Sequence, residues 1–283
     1  VENNSFTLLP MSQRFNLVPG EIYTGKVTIV NPTDASSDFN YKVSVAPYNV
    51  VGNDYDIDLT SKYNRSIITD WIEVSEPTGT VAPNNSKDVS FTISVPEDAP
   101  AGGQYATILV SSNSDQQADA GVAVKNVFEM ASIVYANVAG ETIHDGKILE
   151  NNVPSYSAVA PITLTALISN EGNVHEDAVF VITISDFFSG AVILPTEEDE
   201  GRYGEIIMPE TTRKIERNVS NLPAIGIVKI SQKIYYNGEV STVEKDVIIC
   251  PIWFILLMVL TIASIITAIV VAVKKHKRKN FYL

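Results

Sequence analysis

The chain has 283 residues, with 33 Asp+Glu against 20 Lys+Arg, a formal net charge of −13 and 45% hydrophobic residues. That balance repels phosphate, so nucleic acid and anionic lipid are excluded as ligands of the exposed surface. A lone cysteine, Cys250, excludes an intrachain disulfide, so folding must rest on apolar cores, for which the length suffices twice.

From Ser5 to about Asn137 the pattern is that of β-strands. FTLLP (6–10) opens it, and a turn at Pro19-Gly20 leads to IYTGKVTIVNP, in which Val27 and Ile29 alternate with Lys26, Thr28 and Val30. The turn cluster Asn31-Pro32-Thr33-Asp34 precedes FNYKVSVAPY, where Phe39, Tyr41, Val43 and Val45 share one face. DWIEVS around Trp71 reads as a short strand. KDVSFTISVP then repeats the alternation with Val89, Phe91, Ile93 and Val95 on one side, and QYATILVSS and GVAVKNVFEMASIVYANV follow Gly102-Gly103. Seven or more short strands between turn signals predict an immunoglobulin-like sandwich over residues 1–138.

Proline punctuates these strands. Pro19 and Pro32 are 13 apart, as are Pro83 and Pro96, and Pro209 and Pro223 enclose a similar turn and strand at 14. Proline cannot donate to a ladder, so it sits naturally at both ends of a strand. Residues 139–161 form a linker and first strand region. A second sandwich is predicted over 162–249, from ITLTALISNEGN through DAVFVITISDFFSG to STVEKDVII, with a hairpin turn at Tyr236-Asn237-Gly238-Glu239.

The next stretch, Pro251 to Val273, holds 23 residues without an Asp, Glu, Lys, Arg or His. As a helix it is roughly 34 Å long, enough to cross a hydrocarbon core of about 30 Å. Trp253 suits the headgroup boundary, and the cluster Lys274, Lys275, His276, Lys277, Arg278, Lys279 predicts a cytoplasmic C-terminus. The elements are thus a membrane helix at 250–273 and a basic tail at 274–283, with the bulk of the chain outside. Five of the basic residues follow the span, so the preceding part carries 15 Lys+Arg against 33 Asp+Glu, a net of −18. Export of that part implies a signal peptide removed before Val1. The sequence predicts an all-β protein: two tandem immunoglobulin-like β-sandwich domains followed by one C-terminal transmembrane α-helix.

No catalytic, cofactor-binding or metal-binding residue is assigned, and no cofactor is expected. His144 and His175 fall in turn-like contexts, and no hydrolase elbow, zinc-helix motif or phosphate loop occurs. Asp54, Asp56 and Asp58 superficially match a calcium loop, but its sixth and twelfth positions are Leu59 and Arg65. They read instead as the outer face of a strand with Tyr55, Ile57 and Leu59 inward. The acidic run Glu197, Glu198, Asp199 and Glu200 reads as a solvated loop. Leu194-Pro195-Thr196 lies too far from the span for a sortase signal. The sequons at Asn3, Asn64, Asn84 and Asn218 carry weight only in a eukaryotic setting.

Two stretches, LVPGEIYTGKVTIVNPTD (Leu17 to Asp34) and VAPNNSKDVSFTISVPEDAPAGGQYATILVSS (Val81 to Ser112), resemble the N-terminal domain of the WxL-interacting protein family of Gram-positive bacterial surfaces. The order of two sandwiches, one span and a short basic tail matches as well. The resemblance implies peptidoglycan binding by the first domain and engagement of WxL-type surface proteins by the second. It supplies no ligand-contact motif, so ligand-binding residues stay unassigned. The expectation is a non-catalytic, membrane-anchored surface binding or scaffold protein that contacts peptidoglycan, another surface protein or both. The alternative is an accessory subunit of a membrane-embedded secretion, pilus or envelope assembly.

Overall fold

The structure, a computed structural model, describes residues 6–35, 37–112 and 128–280. The sequon at Asn3 and residues 121–127 of a predicted strand lie outside them. The first half contains β1 (Thr7–Leu9), β2 (Ser12–Leu17), β3 (Ile22–Asn31), β4 (Phe39–Pro47), β5 (Asn49–Val51), β6 (Asp56–Asp58), β7 (Ile72–Val74), β8 (Thr78–Val81), β9 (Asn85–Ser94), β10 (Gly102–Ser112) and β11 (Glu129–Val138). The second half contains β12 (Gly146–Asn152), β13 (Tyr156–Ser157), β14 (Ile162–Asn170), β15 (Glu176–Asp186), β16 (Val192–Leu194), β17 (Arg202–Ile207), β18 (Thr211–Val219), β19 (Gly226–Tyr236), β20 (Glu239–Ile249) and the helix α1 (Ile252–Asn280). The protein is therefore all-β, two immunoglobulin-like sandwiches followed by one apolar helix.

The chain divides into two compact units. The first comprises Val1–Gly146 with the segments Ser169–Glu176 and Ile207–Arg213, and the second comprises the remainder. In the first unit a four-stranded sheet, β1-β3-β9-β7, and a five-stranded sheet, β2-β11-β10-β4-β8, enclose the core. Alternation supplies that core: Val27 and Ile29 from β3, Phe91 and Ile93 from β9, and Tyr41, Val43, Ile108 and Val134 from the opposite sheet are all buried. The predicted faces of β4 and β9 are thus the inner faces. In the second unit β12-β14-β18 faces β13-β20-β19-β15-β16, with β17 also on β15, around Ile162, Leu164, Ile182, Ile184, Ile230 and Val247.

Both units split their first strand between two sheets. β1 pairs antiparallel with β3, and β2 then pairs parallel with β11. Likewise β12 joins β14, while β13 runs parallel to β20. A strand that changes sheets closes the sandwich at one corner, and it leaves a seam where the chain crosses over.

Two predicted strands differ. Around Trp71, Ile67–Asp70 is a 3₁₀ turn, Trp71 caps it, and only Ile72–Val74 is extended. The row Asp54 to Asp58 is no regular strand with one face inward: Tyr55 and Leu59 are partly buried, but Ile57 between them is not. Tyr55 has φ +59°, so the chain reverses there, and β6 pairs only with β5, away from either core, leaving Ile57 61% exposed. Asp58 then serves the turn: its Oδ1 accepts from Thr60 N at 2.8 Å, Thr60 Oγ1 at 2.7 Å and Ser61 N at 3.1 Å.

The stretch Ile252–Lys274 of α1 has a mean hydropathy of 2.9 and is long and apolar enough to span a bilayer. Its hydroxyls turn back on the helix: Thr261 bonds Leu257 O at 2.7 Å, and Ser264 and Thr267 bond Leu260 O and Ala263 O at 2.8 Å. No hydroxyl in this run therefore needs water, as a membrane anchor requires.

Candidate functional site

The seam in the first unit opens into a groove. Gln13, Arg14 and Phe15 of β2 form one bank, Thr24, Gly25 and Lys26 of β3 the other, and Ser90 of β9 completes a cavity of about 490 Å³. It exists because β1 covers β3 only from Thr28 to Val30. Among the described residues, Ile22–Val27 have β9 on one side and no strand on the other. β2 is likewise the outermost strand of its sheet. Two strand edges therefore face a common opening, and each carries backbone groups that a further strand could pair.

Side chains give the groove an apolar floor and a polar rim. The ring of Phe91 lies across Gly25, where an added Cβ would come within 2.2 Å of it. Phe15 packs edge-on to Phe91 at 6.2 Å between centroids. On the rim, Lys26 Nζ donates to Asp88 Oδ2 at 2.8 Å and Thr28 Oγ1 to Asp88 Oδ1 at 2.6 Å. These two bonds, the Lys26 one first, hold the Asp88 carboxyl below its ordinary range. Gln13 Nε2 is buried and finds no hydrogen-bond partner among the described residues. A buried amide donor left unpaired costs about 1–3 kcal/mol, which a ligand acceptor at this position would recover. Leu9, Met11, Val18 and Ile22, on the same run of chain, are all exposed.

A second cluster in this unit is structural. Tyr48, Tyr105, Tyr135 and His175 pack ring against ring at 5.3–6.0 Å. Arg65 Nη1 donates to Asn173 O at 3.0 Å and Nη2 to Glu210. Tyr55 bonds Thr211 and receives Met208 N at 2.9 Å, beneath the guanidinium of Arg213 at 4.7 Å. Burial pushes the phenols of Tyr63, Tyr105 and Tyr135 far above their ordinary value, so they stay protonated and serve as packing. Their task is to fix the segments 169–176 and 207–213.

The remaining residues weighed in the sequence take local roles. His144 pairs with Glu176. Asp199 accepts from Gly201 N at 2.8 Å and Tyr203 Oη at 2.6 Å, so one member of the acidic run shapes its loop. Leu194 is buried in β16. Ser66, the hydroxyl residue of the sequon at Asn64, is fully buried. Among the described residues, no group of three or more His, Cys, Asp or Glu could hold a metal ion. Sequence reasoning missed the groove because its banks belong to different sheets, β2 beside β11 in one and β3 beside β9 in the other, and a buried unpaired Gln has no signature in sequence.

The turn at Asp58 gives a pH-dependent prediction. Hydrogen bonds from the Ser61 and Thr60 side chains, then from their N–H groups, hold its carboxyl far below the ordinary value of 3.8. A depressed folded-state value contributes stability that is present above the unfolded value and lost as pH falls through the folded one. Asp58→Asn is therefore expected to lower the melting temperature at neutral pH, and the difference should shrink as pH is taken below 3.8. A difference that grows on acidification would contradict this role.

No family model matches the chain, and no curated protein does. Solved structures with a similar chain path include the CsuC–CsuE chaperone–tip adhesion subunit pre-assembly complex of Acinetobacter baumannii, at 13% identity and TM-score 0.40, covering 85% of this chain and 98% of that one. The E. coli chaperone DraB is similar at 13% identity and TM-score 0.39, covering 86% and 96%. The YadV chaperone is similar at 7% and 0.41, covering 86% and 99%. Likeness at this level carries no inference to this chain's partners.

Proposed function

We propose that this protein is a non-catalytic, membrane-anchored envelope protein that captures an extended segment of a protein partner in the groove between β2 and β3. The ectodomain lies outside the cell, and Lys274–Lys279 lies in the cytoplasm. The observation that carries this reading is the uncovered edge of β3 at Ile22–Val27, facing the buried, unpaired donor of Gln13. An added strand gains affinity from main-chain bonds and specificity from alternate side chains, here over the Phe15–Phe91 floor. The part played is that of an accessory subunit in an envelope, secretion or pilus assembly, with a WxL-type surface protein as one partner class. Residues 17–34, which carry half of the WxL-interacting resemblance, include all of β3 and support that choice.

A second reading, binding of peptidoglycan, is favoured by the same lining. The ring of Phe15 beside amide, hydroxyl and cationic groups suits a glycan strand.

One experiment separates the two. A photo-crosslinking amino acid replaces Thr24 in the full chain on intact cells, and the purified full chain is incubated in parallel with peptidoglycan sacculi. Arg14→Glu with Lys26→Glu is the groove variant, and both residues are exposed on its rim, so the fold should be retained. Crosslinks to a protein that the groove variant loses support strand capture. Retention on sacculi that the variant loses, without protein crosslinks, supports the wall reading. Crosslinks and retention both unchanged in the variant would remove the groove from either function.

A further inference from the structure

The second unit has an end whose chemistry differs from the rest of the ectodomain. In the register of its larger sheet, Ile249 of β20 stands opposite Gly226 of β19 and Ser157 of β13, and Asp186 of β15 stands opposite Val228. Phe187 N donates to Ile227 O at 3.1 Å, and Cys250 N to Ser157 O at 3.0 Å. Three loops that are far apart in sequence therefore end at one level: 157–161, 187–191 and 220–225. That level is where β20 stops, and α1 begins at Ile252.

All three loops lack charge. They read SAVAP, FFSGA and SNLPAI in a part of the chain that carries 33 acidic residues. Each also exposes a large apolar side chain: Val159 at 62%, Phe188 at 79% beside Phe187, and Ile225 at 42%. At their margin Asp186 is engaged by its own loop, its Oδ1 accepting from Phe188 N at 3.1 Å and from Ser189 N and Oγ at 2.7 Å. Asp199, which shares a cleft with Ser220 and Asn221, is engaged by Gly201 N and Tyr203 Oη. The opposite end of the sheet, the hairpin at Asn237-Gly238, also exposes Tyr235 and Val240 but carries the charged Glu239 beside them.

We infer that these three loops form a membrane-contacting tip, seated in the outer headgroup layer with Phe187 and Phe188 as its main anchors. The inference rests on reading α1 as a span. Trp253, 63% exposed, lies at the start of that span, where an indole prefers the interface. The headgroup layer is several ångströms thick, so a layer that holds Trp253 reaches back to the level of Ile249 and its neighbours. Apolar residues there settle about 5–10 Å into the boundary between headgroups and acyl chains. Scattered exposed hydrophobics need no explanation, but a convergent, uncharged set at the root of a membrane helix does. A free surface of −18 would otherwise be solvated by charge at every end.

The test uses the full chain in zwitterionic phosphatidylcholine vesicles, with Cys250→Ser removing the native thiol. An environment-sensitive fluorophore is attached at Phe188→Cys, with Asn237→Cys as the opposite-end control and Ile266→Cys reporting the span. The expected result is a blue-shifted emission at 188, quenched by lipids bearing a headgroup-level nitroxide and shielded from iodide, while the label at 237 is quenched by iodide alone. Iodide quenching at 188 equal to that at 237 would overturn the tip. Shielding at 188 from both quenchers would also overturn it, placing the side chain against protein, within this chain or a second copy. If Ile266→Cys escapes nitroxide at mid-chain depth, the span itself fails. If it is quenched while 188 is open to iodide, only the tip fails.

Discussion

Phe91→Ala is expected to cost the first unit about 3–5 kcal/mol, the range for removing a buried aromatic ring. The ring is 1% exposed at the middle of β9, lies across Gly25 and meets Phe15 edge-on. Collapse cannot refill the space, because Gly25 has no side chain to move inward and the β3–β9 ladder fixes the backbones on both sides. A unit whose whole stability is about 5–15 kcal/mol would then stand near its unfolding threshold. Trp71 is packed against this core and reports its unfolding, and Trp253→Phe removes the other indole. The midpoint in urea, followed by Trp71 fluorescence, should fall sharply with little change in slope. A loss below about 1 kcal/mol would mean that the ring is not the centre of the core.

Asn170→Ala is expected to lose about 2–4 kcal/mol, as two buried carbonyls are orphaned together. Asn170 is 1% exposed at the end of β14, and its Nδ2 donates to Val174 O at 2.8 Å and Ile207 O at 3.0 Å. Its Oδ1 accepts from Gly172 N at 2.9 Å. Gly172 N keeps a second acceptor in Asp145 O, so the loss falls on the two carbonyls. Asn31, 2% exposed at the end of β3, does the same work toward Ser37 O and Val81 O. Aspartate at position 170 should be no better than alanine, because it offers no donor to the carbonyls and adds a buried charge. Thermal melts of the two variants beside the unaltered protein test this ordering. A neutral Asn170→Ala would show that water or a shifted loop satisfies Val174 and Ile207.

These two cases mark where sequence reading succeeded and where it stopped. Phe91 was legible, because Val89, Phe91, Ile93 and Val95 alternate and alternation follows from the pleat. So was the long apolar helix at the C-terminus, which composition alone marks. Asn170 and Asn31 were visible as residues ending apolar strands, but their partners lie 37 and 50 positions away. Asp54 to Asp58 misled because alternation also arises in a hairpin remote from any core, and a positive φ at Tyr55 leaves no trace in a polar–apolar pattern. The groove was the least legible feature, since it depends on β1 ending three residues along β3 and on the first strand changing sheets. The Arg65 contacts were hidden for a related reason: Asn173 and Glu210 are 108 and 145 residues away.

The short passage from β20 into α1 has a mechanical consequence. Only Cys250 and Pro251 separate the last strand from the helix, too few for a slack tether. β20 is an interior strand, paired with β19 across eleven residue positions and flanked on its other side by β13. Tension drawn along it from α1 therefore acts in shear, loading the whole ladder at once, where a peeled edge strand would yield one bond at a time. A load applied between α1 and the far end of the unit would thus be borne by the folded sandwich as a whole.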